Sequence, residues 1–373
     1  HLSALSQTLP FMLDYKNPNL IVQSDEVEAG SVTWHSPANL AILKYWGKHG
    51  TQLPRNPSFS LTLNSAFTET QLEYAPKESG ERNISLEFLF AGEPNEPFRE
   101  RVLKYLESVA DIFPFLRQLD LTIHTANSFP HSAGIASSAS AMSALALCLC
   151  TLEATLFDTL DDDEEFDRKA SFVARLGSGS ACRSIFSTGA IWGETGDVAG
   201  SSDLFAVPME ERMHDIFKTF HDDVLLVNTE AKSVSSRAGH SLMENHPFAD
   251  GRYQDARRRL HFLLGALKSG DVEEFGRIAE NEALTLHGLM MSSNPSFILL
   301  KSNTLQMIDL LRKYRQETKM PIFFSLDAGP NLHVLYPEEV MPEVREFITD
   351  ELIPLCEEEQ WLQDWVGEGP VEV

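Results

Sequence analysis

Residues 127–141 read N-S-F-P-H-S-A-G-I-A-S-S-A-S-A. A strand-like run at 121–125 leads into this stretch, and the spacing after it predicts a helix over 134–152. That helix is rich in Ala, Ser and Leu with hardly a polar face, so it belongs in the interior. Between strand and helix the side chains are small, which lets the backbone approach a ligand closely. Free N–H groups at the helix start, together with its dipole, favour an anion there. Ser137, Ser138 and Ser140 add hydroxyls that could bond phosphate oxygens or a phosphate-bound Mg2+. No Lys follows, so this is not the glycine-rich loop that ends in Gly-Lys-Ser/Thr. The other reading of the same residues is a Ser/Ala helix packed closely by its small side chains.

Three further segments stand apart from ordinary packing. Residues 36–60 place Asn39, Lys44, Tyr45 and Lys48 close together, ahead of a Pro-punctuated loop to Ser58 and Ser60. Lys44 and Lys48 would share a face if that piece were helical. They read either as a grip on phosphate oxygens or as two surface lysines. Residues 175–184, R-L-G-S-G-S-A-C-R-S, present Ser178 and Ser180 in a glycine-shaped turn, with Arg183 at an expected helix start. Arginine suits bidentate recognition of carboxylate or phosphate. In residues 325–335, S-L-D-A-G-P-N-L-H-V-L, Asp327 ends a strand. Its carboxylate could orient or deprotonate a hydroxyl, or simply form an Asx-turn or helix N-cap.

Around these segments, alternation predicts strands at 32–35, 60–67, 70–74, 84–90, 188–192, 223–228, 322–326 and 332–336. Helical spacing covers 97–113, 164–175, 234–244, 252–268, 272–289 and 296–319. Strands and helices intersperse without regular alternation, so the fold class is α+β. The Gly/Ser-rich stretch 193–203 marks the expected boundary between domains at 1–200 and 201–373, with 1–30 as an extension.

The net charge of −25 makes a nucleic-acid partner or an anionic membrane unlikely, because phosphate backbones are held by Lys and Arg. No run approaches 18 uninterrupted apolar residues, so no transmembrane helix is expected. The first 20 residues lack a basic start followed by an apolar block, so we expect no secretory signal there. Four cysteines without a C-x-x-C pair read as reduced, mostly buried thiols in a cytoplasmic protein. Carboxylates crowd two runs, six in 161–167 and eight in 350–373, read as a solvated helix start and a solvated tail. Residues 31–60 hold Lys44, Lys48 and Arg55 without an acid, and 175–193 hold two arginines without an acid. The local charge around the motifs therefore suits an anionic metabolite even though the total does not.

Taken together the motifs resemble the GHMP small-molecule kinase superfamily and, within it, the diphosphomevalonate decarboxylases. The matching pieces are N-L-A-I-L-K-Y-W-G-K (39–48), F-P-H-S-A-G-I-A-S-S-A-S (129–140), G-S-G-S-A-C-R-S (177–184), K-S-V-S-S-R (232–237) and D-A-G-P-N (327–331). They occur in the family's order and span about 31–340.

The resemblance implies a two-domain GHMP kinase fold with the active site in the inter-domain cleft. It also implies ATP-dependent decarboxylation of mevalonate 5-diphosphate to isopentenyl diphosphate, a step of isoprenoid biosynthesis, with ATP and Mg2+ as cofactors. The partners it implies are the small-molecule substrate and a second copy in a homodimer. Asp327 would position or deprotonate the 3-hydroxyl, Lys44 would neutralise the triphosphate and hold Asp327, and Arg183 would take the substrate carboxylate with Asn39 in support. Tyr45, Lys48, Ser178, Ser180, Ser236, Arg237 and Ala328 would bind the rest of the substrate. On the ATP side stand Ser132, Ala133, Gly134, Ala136, Ser137, Ser138, Lys232 and, from an ungapped stretch after 92–94, Arg101. Ser137 or Ser138 would lie near Mg2+. His131, Leu176 and His240 depart from the usual pattern. A phosphomevalonate decarboxylase, a mevalonate 3-kinase and a non-catalytic binding module are the alternatives on the same fold. Retention of Asp327, Lys44 and the diphosphate clamp argues against them.

Overall fold

The computed structural model describes residues 13–23, 27–130, 135, 137–228 and 236–373, with the side chains of Ser236 and Arg237 outside that set. Two long strands, β1 (Gly30–Leu43) and β4 (Ser58–Pro76), form the spine of an eight-stranded sheet. The sequence suggests two strands at 60–67 and 70–74, but the chain runs through as one. In the gap between them, Thr68 points inward and Glu69 outward, in step with the strand's alternation, and the hydroxyls of Thr68 and of Thr70 beyond it are satisfied. Thr68 donates to Asn127 Oδ1 at 2.8 Å, and Thr70 pairs with the Thr125 hydroxyl at 3.1 Å.

Between β1 and β4 lies a small hairpin, β2 (Lys48–His49) and β3 (Leu53–Pro54). Lys44 and Lys48 therefore do not share a helical face: one follows a strand and the other opens a hairpin. β5 (Ser85–Phe90) and β6 (Glu93–Pro94) precede α1 (Glu96–Val109) and β7 (Leu119–Asn127). Next come α2 (Ser137–Phe157), α3 (Asp163–Gly177), a 3-10 turn over Gly179–Ile185, β8 (Gly189–Trp192) and β9 (Ala206–Pro208). The α2 helix lies against β1, β4 and α3 and is the buried core helix its composition demands. Asp162 caps α3, accepting from Glu165 N at 2.9 Å, and the acids after it sit at the positive end of the helix dipole.

The second half forms a four-stranded antiparallel sheet in the order β11-β12-β10-β13. Its strands are β10 (His221–Leu225), β11 (Phe323–Leu326), β12 (Leu332–Tyr336) and β13 (Trp361–Trp365). Its helices are α4 (Ser236–Ser241), α5 (Ala249–Ser269), α6 (Val272–Met291), α7 (Ser302–Thr318) and α8 (Met341–Phe347). The helix expected from 296 begins only at Ser302, because Phe297 and Leu299 pack as extended chain against Trp46 and Met290. Leu40, Ile42, Phe59 and Leu61 share one apolar core with Leu260, Leu263, Phe275 and Phe323. The two halves are thus welded by hydrophobic burial, which fixes whatever side chains stand at its edge.

One sequence expectation needs correction. The acidic tail is not simply solvated: β13 joins the second sheet, and β14 (Val371–Glu372) pairs with β1 of the first. Asp364 is buried there and accepts the N–H groups of Asn64, Ser65 and Ala66 at 2.7–2.9 Å, which accounts for a carboxylate inside the fold. Before the first strand, the described residues 13–23 are anchored to the first half. Leu20 and Val22 are buried, and the Gln118 amide pairs with both backbone groups of Val22.

Candidate active site

The register of β1 against β4 shifts between Pro37 and Asn39 and again between Ala41 and Leu43. Proline has no N–H for the ladder, and such irregularities re-aim side chains. Asn39 and Lys44 follow these shifts. Lys44 is buried and its Nζ donates to Ala41 O at 2.5 Å, Ser325 Oγ at 3.0 Å and Asp327 Oδ1 at 3.0 Å. A lysine after β1 thus meets a carboxylate after β11. The Asp327 carbonyl accepts from Gly329 N at 2.8 Å, so the turn is made by backbone while the carboxylate contacts Lys44.

His287 on α6 reaches the same residue, with Nε2 at 3.0 Å from the Asp327 carbonyl. A carbonyl only accepts, so Nε2 carries the proton. Burial, aided by the Lys44 ammonium, pushes the His287 pKa down from 6.5 to about 4. A folded pKa below the unfolded one means that the unfolded chain binds more protons between those values. The contribution is complete above about pH 6.5 and is lost progressively toward pH 4, by roughly 3 kcal/mol in full. Chemical denaturation at pH 7 and pH 4.5 should therefore show a smaller acid-side loss in His287→Gln than in the parent chain. Equal losses in the two proteins would count against this role for His287.

Arg183 lies in the 3-10 turn rather than at a helix start, and it is fully buried. Its Nε donates to Ser60 Oγ at 2.9 Å, Nη1 to Ser58 Oγ at 2.6 Å and Nη2 to Asn39 Oδ1 at 3.4 Å. The guanidinium stands 6.0 Å from the Trp192 ring. Among the described residues no carboxylate lies within ion-pair distance of it. Burial lowers its pKa, partly offset by Cys182 and Asp327. Asn39 is itself held, donating to Ser184 Oγ at 2.7 Å and Ser180 O at 3.2 Å. A buried cation with only neutral acceptors is a receptor for an anion.

Tyr45 lies beside this receptor, 4.7 Å from Trp192 and 4.3 Å from His240 between ring centroids. Its hydroxyl is buried and has no hydrogen-bond partner among the described residues, which fits a ligand oxygen. A Cβ at Gly179 would come within 2.9 Å of that hydroxyl, so the second glycine of G-S-G-S is a space requirement. His240 accepts the Gly47 N–H at 3.0 Å and is driven to about 3 by burial and Lys48, so it is neutral. It docks α4, at whose start Ser236 and Arg237 stand, on the K-Y-W-G-K turn. Lys48 donates to Gln52 Oε1 at 3.0 Å. Arg175, although it contributes to the local positive charge, is structural: it donates to Leu204 O and to Thr51 O at the hairpin tip.

At the start of α2, Ser138 Oγ is 3.4 Å from Ser178 Oγ, so the helix and the G-S-G-S turn meet. Ser140 is buried against Thr68 and bonded to Ser137 O, whereas Ser137 is half-buried and Ser138 exposed. The first turn carries no acid, which suits a polyphosphate. Among the described residues no group of three or more His, Cys, Asp or Glu could hold a metal, and the serine hydroxyls at the start of α2 fit an Mg2+ that arrives on nucleotide phosphates. Ala328 is buried beside Asp327. Arg101 is exposed on α1, over Phe98, and no described contact joins it to the Lys44–Asp327 cluster. Ser132, Ala133, Gly134, Ala136 and Lys232, with His131, lie outside the described residues. Sequence reading left Ser325, His287, Glu282 and Arg252 without a role. Ser325 lies on β11, two residues before Asp327, whereas His287, Glu282 and Arg252 reach the site only through the packing of α5 and α6, which nothing local to them signals.

Similar proteins share this architecture. The mevalonate diphosphate decarboxylase of Enterococcus faecalis is 28% identical, with a TM-score of 0.76 over 93% of this chain and 99% of that one. That of Staphylococcus aureus is 26% identical, with a TM-score of 0.78 over 94% and 100%. A further similar structure is MDDEF in complex with MVAPP, AMPPCP and magnesium, 28% identical, with a TM-score of 0.77 over 93% and 99%. The Saccharomyces cerevisiae diphosphomevalonate decarboxylase is 29% identical over 339 residues, covering 86% of this chain and 81% of the relative. Residues 36–205 match the diphosphomevalonate decarboxylase-like N-terminal domain, and residues 224–368 match the mevalonate 5-diphosphate decarboxylase C-terminal domain. With both halves matched in order and the motif residues meeting between them, the chain belongs to the diphosphomevalonate decarboxylase family.

Proposed function

We propose that this enzyme converts mevalonate 5-diphosphate and ATP to isopentenyl diphosphate, ADP, phosphate and CO2. The observation that carries the reading is the meeting of Lys44 and Asp327, from opposite halves of the chain, near a buried Arg183 that has no carboxylate partner among the described residues. The Asp327 carboxylate accepts the proton of the 3-hydroxyl or orients it for attack on the nucleotide. Lys44 holds that carboxylate and offsets phosphate charge. Arg183, steadied by Ser58, Ser60 and Asn39, takes the substrate carboxylate and keeps the breaking C–C bond in line with the departing phosphate. Positioning and fixed charge supply most of the effect, as in other phosphoryl transfers.

Tyr45, Lys48, Ser178, Ser180, Ser236, Arg237 and Ala328 form the proposed substrate clamp. Ser132, Ala133, Gly134, Ala136, Ser137, Ser138, Lys232 and Arg101 are proposed for ATP. Mg2+ bound with the nucleotide supplies charge neutralisation at the phosphates, with Ser137 or Ser138 beside it. We also propose a domain division near residue 200, on the Gly/Ser-rich stretch 193–203, a homodimer, on the resemblance, and a cytoplasmic location, which the four free, buried thiols support.

A coupled ADP-release assay with mevalonate, its 5-phosphate and its 5-diphosphate, with CO2 measured alongside, tests the reading. Equal ADP and CO2 with the diphosphate alone is the expected result. ADP without CO2 would replace the decarboxylase with a 3-kinase, and turnover confined to the monophosphate would change the substrate.

A further inference from the structure

We propose that Glu282 and Arg252 are positioning residues for Lys44, which makes helices α5 and α6 part of the catalytic unit. The inference rests on the decarboxylase reading and deepens it. β1 ends at Leu43, so the peptide N–H and C=O of Lys44 have left the strand ladder. Glu282 Oε2 accepts that N–H at 2.9 Å. Arg252 Nη2 donates to the C=O at 3.1 Å, and Asn56 Nδ2 adds a second donor at 3.0 Å. Glu282 and Arg252 are themselves joined by two hydrogen bonds of 2.8 and 2.7 Å, and Arg259 reaches the same carboxylate at 2.6 Å. Burial alone would raise the Glu282 pKa, but the Arg252 guanidinium, with its hydrogen bonds, outweighs burial and keeps the carboxylate ionised.

Stability does not account for this pair. Buried ion pairs are often matched or bettered by apolar residues of similar volume. Here Glu282 is fully buried, Arg252 nearly so, and the Arg252 Nε finds no partner among the described residues. What the pair does that an apolar pair could not do is hold both backbone polar groups of one residue, and so the two peptides that flank its Cα. That residue is the one whose ammonium contacts Asp327 at 3.0 Å, with Ser325 and Ala41 as its remaining partners. The Lys44 side chain is therefore fixed at both ends, by α5 and α6 at the backbone and by the β11 edge at the tip. If the backbone end is released, the ammonium no longer has a defined place relative to Asp327.

The test compares the parent chain with Glu282→Leu/Arg252→Met and with Glu282→Gln, in steady-state ADP and CO2 release with thermal unfolding alongside. The double variant replaces the ion pair with apolar bulk and should keep its thermal midpoint. Its kcat should fall about 100-fold, the effect of misplacing a reacting group by about 1 Å. KM for both substrates should stay within about threefold, since an interaction felt mainly in the transition state shows in kcat. Glu282→Gln keeps an oxygen for the Lys44 N–H and should lose less. A lowered thermal midpoint with kcat retained would make the pair purely structural and overturn the proposal. If the double variant does not fold, Glu282→Gln decides: reduced kcat at unchanged KM supports the proposal, and parental kcat overturns it. Absence of ADP release by the parent chain would instead defeat the decarboxylase reading itself.

Discussion

An Asp327→Asn variant is expected to lose turnover by about 10²–10⁴-fold, the range over which a positioned acid or base acts. Asparagine matches aspartate in size and still offers an oxygen to Lys44 Nζ, now 3.0 Å from Oδ1. It can neither take a proton nor carry the negative charge that pairs with the ammonium. The surrounding turn should survive, because its bond from Gly329 N goes to the Asp327 carbonyl rather than the side chain. His287 also holds that carbonyl. Nucleotide affinity should stay within a few fold, since the proposed phosphate site lies at the start of α2. Equilibrium nucleotide binding and single-turnover ADP formation, measured on the same preparation, separate the two effects. Normal turnover in the variant would leave Asp327 as a turn residue only.

How far such a site can be read from sequence depends on how its residues come together. Asp327, Lys44, Arg183 and Asn39 sit in short strings of unusual composition, so their spacing carries information before any fold is known. The α2 helix is legible from its composition: a run of apolar residues with no polar face must be buried. Where local pattern misled, tertiary contacts prevailed. Thr68 and Glu69 looked like a break in a strand, but the Thr68 hydroxyl finds partners in Asn127 on β7 and Ser140 on α2 while Glu69 faces outward. The acidic tail looked solvated, yet Asp364 meets three backbone N–H groups about 300 residues away. Glu282 lies in the middle of α6 and Arg252 in the first turn of α5, each among other charged residues, and only the packing of α5 and α6 on β1 reveals that they face Lys44. Ser58 and Ser60 were visible in the sequence but their purpose was not, because the arginine they hold lies more than 120 residues further on.

Arg183 allows a prediction in which stability and activity separate. A guanidinium that is buried with Ser58, Ser60 and Asn39 as its acceptors gains hydrogen bonds but no opposite charge at ion-pair distance among the described residues. Holding a charge in the interior on those terms costs free energy. Replacing it with a neutral side chain relieves that cost, so Arg183→Gln is expected to unfold at a temperature no lower than the parent chain. Of the hydroxyls left behind, Ser58 already donates to Trp192 O at 3.3 Å, and the glutamine amide can still donate to Ser60. Activity should move the other way. Without a bidentate partner the substrate carboxylate is neither oriented nor kept dry, and kcat should fall by about 10²–10³-fold, as when a fixed electrostatic contact to the reacting group is removed. Arg183→Lys should recover little of this, because a point charge on a flexible stem does not reproduce the guanidinium fork. The loss should also fall unevenly on the two chemical steps. Transfer to the 3-hydroxyl depends on Asp327 and Lys44, whereas loss of CO2 depends on the carboxylate that Arg183 would hold. In a single turnover, CO2 should therefore lag ADP in both variants. If CO2 and ADP appear together at the parental rate, Arg183 does not hold the carboxylate. A thermal midpoint well below that of the parent would show that the buried cation is stabilising, and its charge would then have a partner other than the substrate.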